Sequence, residues 1–255
     1  MADFKLLVVG RFLPGQVRVR WNESTRLVLP QVETLIEQAW QKTISTPGVR
    51  LYDGRVARLE SFDLRGNELD LAISPTSYRI VVGTNFANPG LQDDFGEAVM
   101  ANPLGVSTSL LTADGYWIMG RRNRSVAYYP ARVHPFAGSL EVREEVDIFH
   151  DVRRELREEL ALGESDIVQV THVGLVCDQT LRHPEAVFFT ETRLSRKQVT
   201  HQLDPDEHDA VWSTPATPQD TAAALANDEL TPVARASLLL GGRERFGVEW
   251  FERHS

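Results

Sequence analysis

Residues 138–162 read GSLEVREEVDIFHDVRRELREELAL, and the rest of the chain is best understood outward from them. From Asp147 onward the pattern is helical. At about 100° per residue, Phe149, Val152, Leu156 and Leu160 fall on one stripe roughly 80° wide. Asp151, Glu155, Glu158 and Glu159 fall on a separate sector about 100° wide. One face is built for a core, and the other gathers carboxylates.

A carboxylate sector is unfavourable by itself, because like charges at i, i+4 repel. Arg153, Arg154 and Arg157 offset part of this, but helical projection puts them mainly on the other side. A hard divalent cation resolves the repulsion: Mg²⁺ or Mn²⁺ prefers carboxylate oxygen and water, and bridges carboxylates to substrate phosphates. The plain alternative is a solvated Glu/Arg face with i, i+4 pairs.

Strand signals flank the helix. Val106–Thr112 and Tyr116–Met119 enclose Asp114-Gly115, a hairpin signature. Further strands are expected at Val126–Tyr129, Val168–Cys177, Ala186–Leu194 and Ala210–Trp212. Residues 214–229 read as loop with a short helix. Thr231-Pro232 starts a last helix that Gly241-Gly242 should end. Towards the N-terminus, Leu6–Val9 and Val17–Trp21 read as strands, and Gln31–Ile44 has helical spacing. Val56–Phe62, Leu69–Ile73 and Tyr78–Val82 read as strands, with a turn at Arg65-Gly66-Asn67. Asn88-Pro89-Gly90 opens a looser passage, so two units are expected, 1–98 and 99–255.

Composition narrows the function. The 255 residues are 42% hydrophobic, enough for a substantial core. A net charge of −9 speaks against a nucleic-acid partner, which needs clustered cations. Cys177 is the one cysteine, so neither an internal disulfide nor a Cys-rich zinc site is available. No leader pattern and no long apolar run is evident, so a cytoplasmic protein without membrane contact is expected. Oligomeric state is not legible.

Arg154-Glu155-Leu156-Arg157-Glu158-Glu159 resembles the second half of the Nudix box. Gly138 takes the place of the box's first Gly and Glu144 follows at the box's spacing, while Leu162 supplies the closing aliphatic. The resemblance implies that Glu155, Glu158 and Glu159 bind metal. It makes Arg154 a structural residue that pairs with an upstream Glu. Two departures stand out. Nine residues, not seven, separate Glu144 from Arg154, so Glu145 or Asp147 is an alternative partner, and the box's late Gly is Ala161. Thr76–Arg79, Gly83–Asn85, Asn102–Val106 and Arg121–Arg124 are similar to the animal-type UDP-glucose/UDP-galactose pyrophosphatases of the Nudix superfamily. The implied fold is α/β, a Nudix α/β/α sandwich with a mixed sheet behind a smaller N-terminal α+β unit. The implied activity is Mg²⁺-dependent hydrolysis of a nucleotide-sugar substrate, a UDP-hexose, to UMP and hexose 1-phosphate. Two rivals stay open: ADP-ribose or another nucleoside diphosphate derivative as substrate, and a non-catalytic binding module, which the displaced Glu144 keeps alive.

Further candidates follow. Arg122 is the expected phosphate contact by resemblance, since a guanidinium suits phosphate oxygens; a basic strand end is the alternative. Glu207, in Asp206-Glu207-His208-Asp209, is a further metal ligand or general base, or else part of a solvated acidic loop. The general base is Glu159 or Glu207. His134 either touches substrate or caps a strand end. Tyr78, Arg79 and Asn85 line a uridine pocket between the units, or simply hold the units together.

Overall fold

The computed structural model describes residues 3–46, 51–124, 126, 128–140, 142 and 146–255. The N-terminal stretch splits between two sheets. Strand β1 (Phe4–Phe12) is an edge strand of the large sheet, pairing with residues 172–178. Strand β2 (Val17–Trp21) begins a separate three-stranded sheet. Helix α1 (Pro30–Ile44) starts with Pro in its first turn and buries Val32, Ile36 and Trp40. Strands β3 (Arg55–Arg65) and β4 (Glu68–Ser77) pair antiparallel around Gly66, whose φ is +61°. β2 runs parallel to β4. β4 inserts Leu69, Leu71 and Ile73 into the core on alternate positions.

The expected strand at Tyr78–Val82 is not one. Helix α2 (Tyr78–Val81) passes directly into a π-helical turn, Val82–Phe86. A short apolar run has no period that separates strand from helix, and tertiary packing decides. Here Gly83 rests on Ile36: a Cβ would lie 2.6 Å from that residue's Cα. Helix α3 (Leu91–Phe95) follows.

Among the described residues the large sheet has eight strands. Strands β5 (Gly105–Leu111) and β6 (Tyr116–Arg122) form the hairpin the Asp-Gly announces, with Gly115 at φ +78°. Two short strands that periodicity does not reveal, β7 (Val133–His134) and β8 (Phe136–Ser139), pair with β6 and β5. The strand expected at Val126–Tyr129 is absent among the described residues, because Tyr129 and Ala131 turn left-handed at φ +49° and +60°. Helix α4 (Ile148–Leu160) comes next. Then come β9 (Ile167–Asp178), β10 (His183–Thr192), α5 (Arg196–His201), β11 (His208–Pro215) and α6 (Pro218–Ala224). The strand order is β1-β9-β10-β5-β6-β11; β10 and β5 are parallel and the other neighbours antiparallel, so the sheet is mixed.

Helices cover both faces. α4 buries Ile148, Phe149, Val152, Leu156 and Leu160 in a core shared with β5, β8, β10 and the small sheet. α7 (Pro232–Phe246) lies on the opposite face, its Thr231 cap accepting from the Ala234 amide at 3.2 Å. It does not end at Gly241-Gly242. Those glycines are close-approach sites: a Cβ on Gly241 would meet Ser109 Oγ at 2.9 Å, and one on Gly242 would meet the Trp250 ring at 2.2 Å. The helix stops at Gly247, φ +93°, and α8 (Val248–His254) folds back on it. No described helix is long and apolar enough to cross a membrane.

Candidate active site

The carboxylates come from α4, and its start fixes their phase. Asp147 caps the helix, accepting from the Phe149 amide at 2.8 Å. Its role among the described residues is therefore capping, while Glu144 and Glu145 lie outside them. With the apolar stripe in the core, Glu155 and Glu159 are carried inward and Glu158 outward: Glu155 is 6% exposed and Glu159 2%, while Glu158 stands in solvent. Gly138 makes room. A Cβ there would sit 1.8 Å from Glu155 Oε1, so any other residue at this position expels the carboxylate. Arg154 lies over the cluster rather than away from it. It donates to Glu155 at 2.5 Å, to Glu158 at 2.8 Å and to the Ser139 carbonyl at 3.3 Å, and its Nε is 3.6 Å from Asp151. It ties α4 to β8 while neutralising part of the cluster.

Glu159 is held from two sides. Oε1 accepts from the Ala137 amide at 2.8 Å, and Oε2 pairs with His208 Nε2. Burial, reinforced by the neighbouring Glu207, pushes the Glu159 carboxyl well above its ordinary range. Burial likewise pushes Glu155 up to about 8, against the pull of Arg154 and with the push of Glu159, Glu158 and Glu207.

The pairing of β11 with β6 supplies the rest. His208 lies opposite Arg122, and the Glu207 carbonyl accepts from the Asn123 amide at 3.0 Å. Glu207 is exposed and His208 is buried at 3%. Donor atoms of Glu159, Glu207 and His208 lie within 4.8 Å of one another. The ring of His208 sits on Gly120, where a Cβ would be 2.3 Å from Nδ1. Burial drives its pKa down to about 4. Arg122 is 8% exposed, stacks over Tyr128 at 4.3 Å and donates to the Tyr128 carbonyl at 3.2 Å. Among the described residues, no carboxylate lies within ion-pair distance of it.

A cleft of about 410 Å³ opens beside these groups. Glu155, Glu158, Glu207, Arg154 and Gly138 form one wall; Tyr52, Arg55 and Tyr78 face them from the N-terminal stretch. Tyr52 and Arg55 carried no sequence signal, since an exposed Tyr and Arg at a strand start are ordinary. His208 was likewise hidden, although a Gly inside β6 marks a close approach by something. The remaining candidates sit differently. Arg79 is engaged by Glu37 at 3.1 Å and Asp53 at 3.6 Å, which braces the loop carrying Tyr52. Asn85 is fully buried and its amide donates to the Leu181 and Arg182 carbonyls at 3.0 and 2.8 Å, closing the turn between β9 and β10. His134 is 1% exposed and bonds Thr231 Oγ1 at 2.8 Å; burial, then Arg122, push its pKa well below the ordinary value. Neither Asn85 nor His134 belongs to the lining of this cleft.

No protein-family model matches the chain. The uridine diphosphate glucose pyrophosphatase of Homo sapiens is 28% identical over 260 residues, spanning 86% of this chain and 84% of that protein. The Bos taurus protein of the same name is 26% identical over 271 residues, spanning 89% and 91%. Over most of its length the chain thus resembles these pyrophosphatases. Among solved structures, a Nudix-family hydrolase from Clostridium perfringens has a TM-score of 0.36 at 13% identity, covering 60% of this chain and 99% of that one. An Ap4A hydrolase from C. elegans has a TM-score of 0.37 at 16% identity, covering 56% and 96%.

The donor set of the site fits a hard divalent cation. Two buried carboxylates repel one another beside a third, Glu207, and the backbone is cut back to glycine where Glu155 packs. Such an arrangement is stable only when a cation or protons offset the charge.

Proposed function

We propose that the chain hydrolyses a nucleoside diphosphate joined to a sugar, in the presence of Mg²⁺, and that the substrate is a UDP-hexose converted to UMP and hexose 1-phosphate. The observation that carries this is the cleft itself, in which Glu155, Glu158 and Glu207 face Tyr52, Arg55 and Tyr78 across a space suited to a nucleotide. The 84–91% coverage of relatives named uridine diphosphate glucose pyrophosphatase supports the sugar nucleotide in particular.

Glu155, Glu158 and Glu159 would hold the metal, with Mn²⁺ as a substitute, and the bound ion supplies charge neutralisation to the diphosphate. Arg122 contacts phosphate oxygens, its guanidinium being buried without a carboxylate partner among the described residues. Glu207 takes the proton of the attacking water. It is the better base of the two candidates, because both oxygens of Glu159 are already engaged, by the Ala137 amide and the His208 ring, while the Glu207 side chain is open to the cleft. Water adds across the anhydride, one P–O bond breaks, and both products leave as monophosphates. In this reading, the N-terminal stretch around Tyr52, Arg55 and Tyr78 supplies one wall and residues 99–255 the metal ligands.

The test is monophosphate release from UDP-glucose, UDP-galactose and ADP-ribose, each with Mg²⁺ and with EDTA. UMP release from the UDP-hexoses alone, abolished by EDTA, is the expected result. Arg122→Ala should then raise KM by about ten- to a hundredfold, the loss of a charged hydrogen bond. Turnover of ADP-ribose alone would overturn the UDP-hexose assignment, and binding without release of any product would overturn catalysis.

A further inference from the structure

We propose that His208 is a positioning residue that locks the Glu159 carboxylate for metal binding, and that its ring is not itself a metal ligand. The proposal rests on the metal role given to Glu159 above. Three observations carry it. First, Glu159 reaches its place through three rotatable bonds, and a metal ligand must be held to within about half an ångström. The Ala137 amide restrains Oε1, but one hydrogen bond leaves the carboxylate free to rotate about it. His208 Nε2 on Oε2 removes that freedom.

Second, the ring is placed by elements that serve the same site. The Asp204 amide donates to the Glu159 carbonyl at 2.8 Å, and the His208 amide donates to the Asp204 carbonyl at 3.2 Å. Residues 204–208 therefore grip Glu159 through the main chain as well as the side chain. The register that sets His208 opposite Arg122 delivers the phosphate contact and the brace together. Third, the ring has nowhere else to go. Gly120 lies under Nδ1, Phe136 meets the ring edge-on at 5.5 Å and 86°, and the residue is 3% exposed. The one ring nitrogen that faces the cluster is already occupied by a Glu159 oxygen, so the geometry is that of a partner to a ligand.

The test compares His208→Phe, which keeps the volume and removes the nitrogen, with His208→Gln, whose amide can donate from nearly the same point. Mn²⁺ affinity by electron paramagnetic resonance and the kcat and KM for nucleotide-sugar hydrolysis are read together. Loss of the brace should lower Mn²⁺ affinity and kcat by about 10- to 100-fold in H208F, with KM changed far less, and H208Q should recover most of both. Gly120→Ala, which displaces the ring without removing a polar group, should follow H208F. Unchanged Mn²⁺ affinity in H208F overturns the proposal. So does an H208Q as impaired as H208F with an altered Co²⁺ spectrum, since that makes the ring a ligand. A double-mutant cycle of H208F and E159Q on thermal unfolding in EDTA reads the pair without metal. Coupled shifts there support the brace even if the wild-type protein binds no Mn²⁺, an outcome that would sink only the metal reading. Additive shifts overturn the brace itself.

Discussion

α4 and α7 lie on opposite faces of the same sheet and bury similar lengths of chain, yet they are built on different terms. α7 buries Val233, Ala234, Ala236, Leu238, Leu239 and Leu240, and uses Gly241 and Gly242 to let Ser109, Trp117 and Trp250 come close. Apart from Ser237, everything it buries is apolar. α4 buries an apolar stripe too, but brings Asp151, Glu155 and Glu159 in with it. Burial disfavours the charged forms of Glu155 and Glu159, a cost that α7 does not carry. Two helices that share a sheet thus divide the work, one holding the sandwich closed and the other carrying charge into it.

The sharpest way to break this contrast is Glu159→Gln. Losing the proposed metal ligand should lower kcat by about a thousandfold or more, the equivalent of several kcal/mol of charge stabilisation. The melting temperature in EDTA should hold or rise, because a carboxyl whose charged form burial disfavours is replaced by a neutral amide of the same shape. A variant that loses stability and keeps activity would erase the distinction. The mirror experiment is Leu238→Ala on α7. Its side chain is fully buried, and truncation should lower stability by about 2–5 kcal/mol in a denaturant titration while kcat per folded molecule stays near wild type.

A pH series sharpens the comparison next. The Glu155 carboxyl is pushed up to about 8 in the fold, so the folded chain binds a proton more tightly than the unfolded chain does. The stability this proton confers is fully present below the ordinary Glu value and is lost as pH rises through about 8. Melts in EDTA should therefore decline across that window, and Glu155→Gln should flatten the decline. Mg²⁺ affinity should rise over the same window, because the ion competes with the proton. A flat profile in the wild-type protein would show that Glu155 is already ionised without metal. The smallest effect belongs to Ala161, which ends α4 at φ +51°. Ala161→Gly should add about 1 kcal/mol of stability, seen as a rise of a few degrees in Tm.

Much of α4 was legible in advance. Phe149, Val152, Leu156 and Leu160 are buried, as helical phase alone requires. Hairpins with a Gly at the turn and the capped start of α7 were legible for the same reason, since the signal is local and the residues act on their own backbone. Failures came where the partner is distant in sequence. Tyr78–Val82 and Val126–Tyr129 carry β-prone residues, but packing on α1 and left-handed turns override them. Gly241 and Gly242 read as a helix end because nothing nearby in sequence reveals Trp117 and Trp250.

That one helix presents a core stripe beside a set of carboxylates follows from residue order, because a 3.6-residue period sorts side chains without any neighbour. Which carboxylates are enclosed, and what meets them, depends on packing between distant segments. Gly138 beneath Glu155, His208 against Glu159, and Tyr52 and Arg55 across the cleft are juxtapositions of strands and loops far apart in the chain. Strand register and close packing fix those meetings, and neither leaves a local trace in the order of residues.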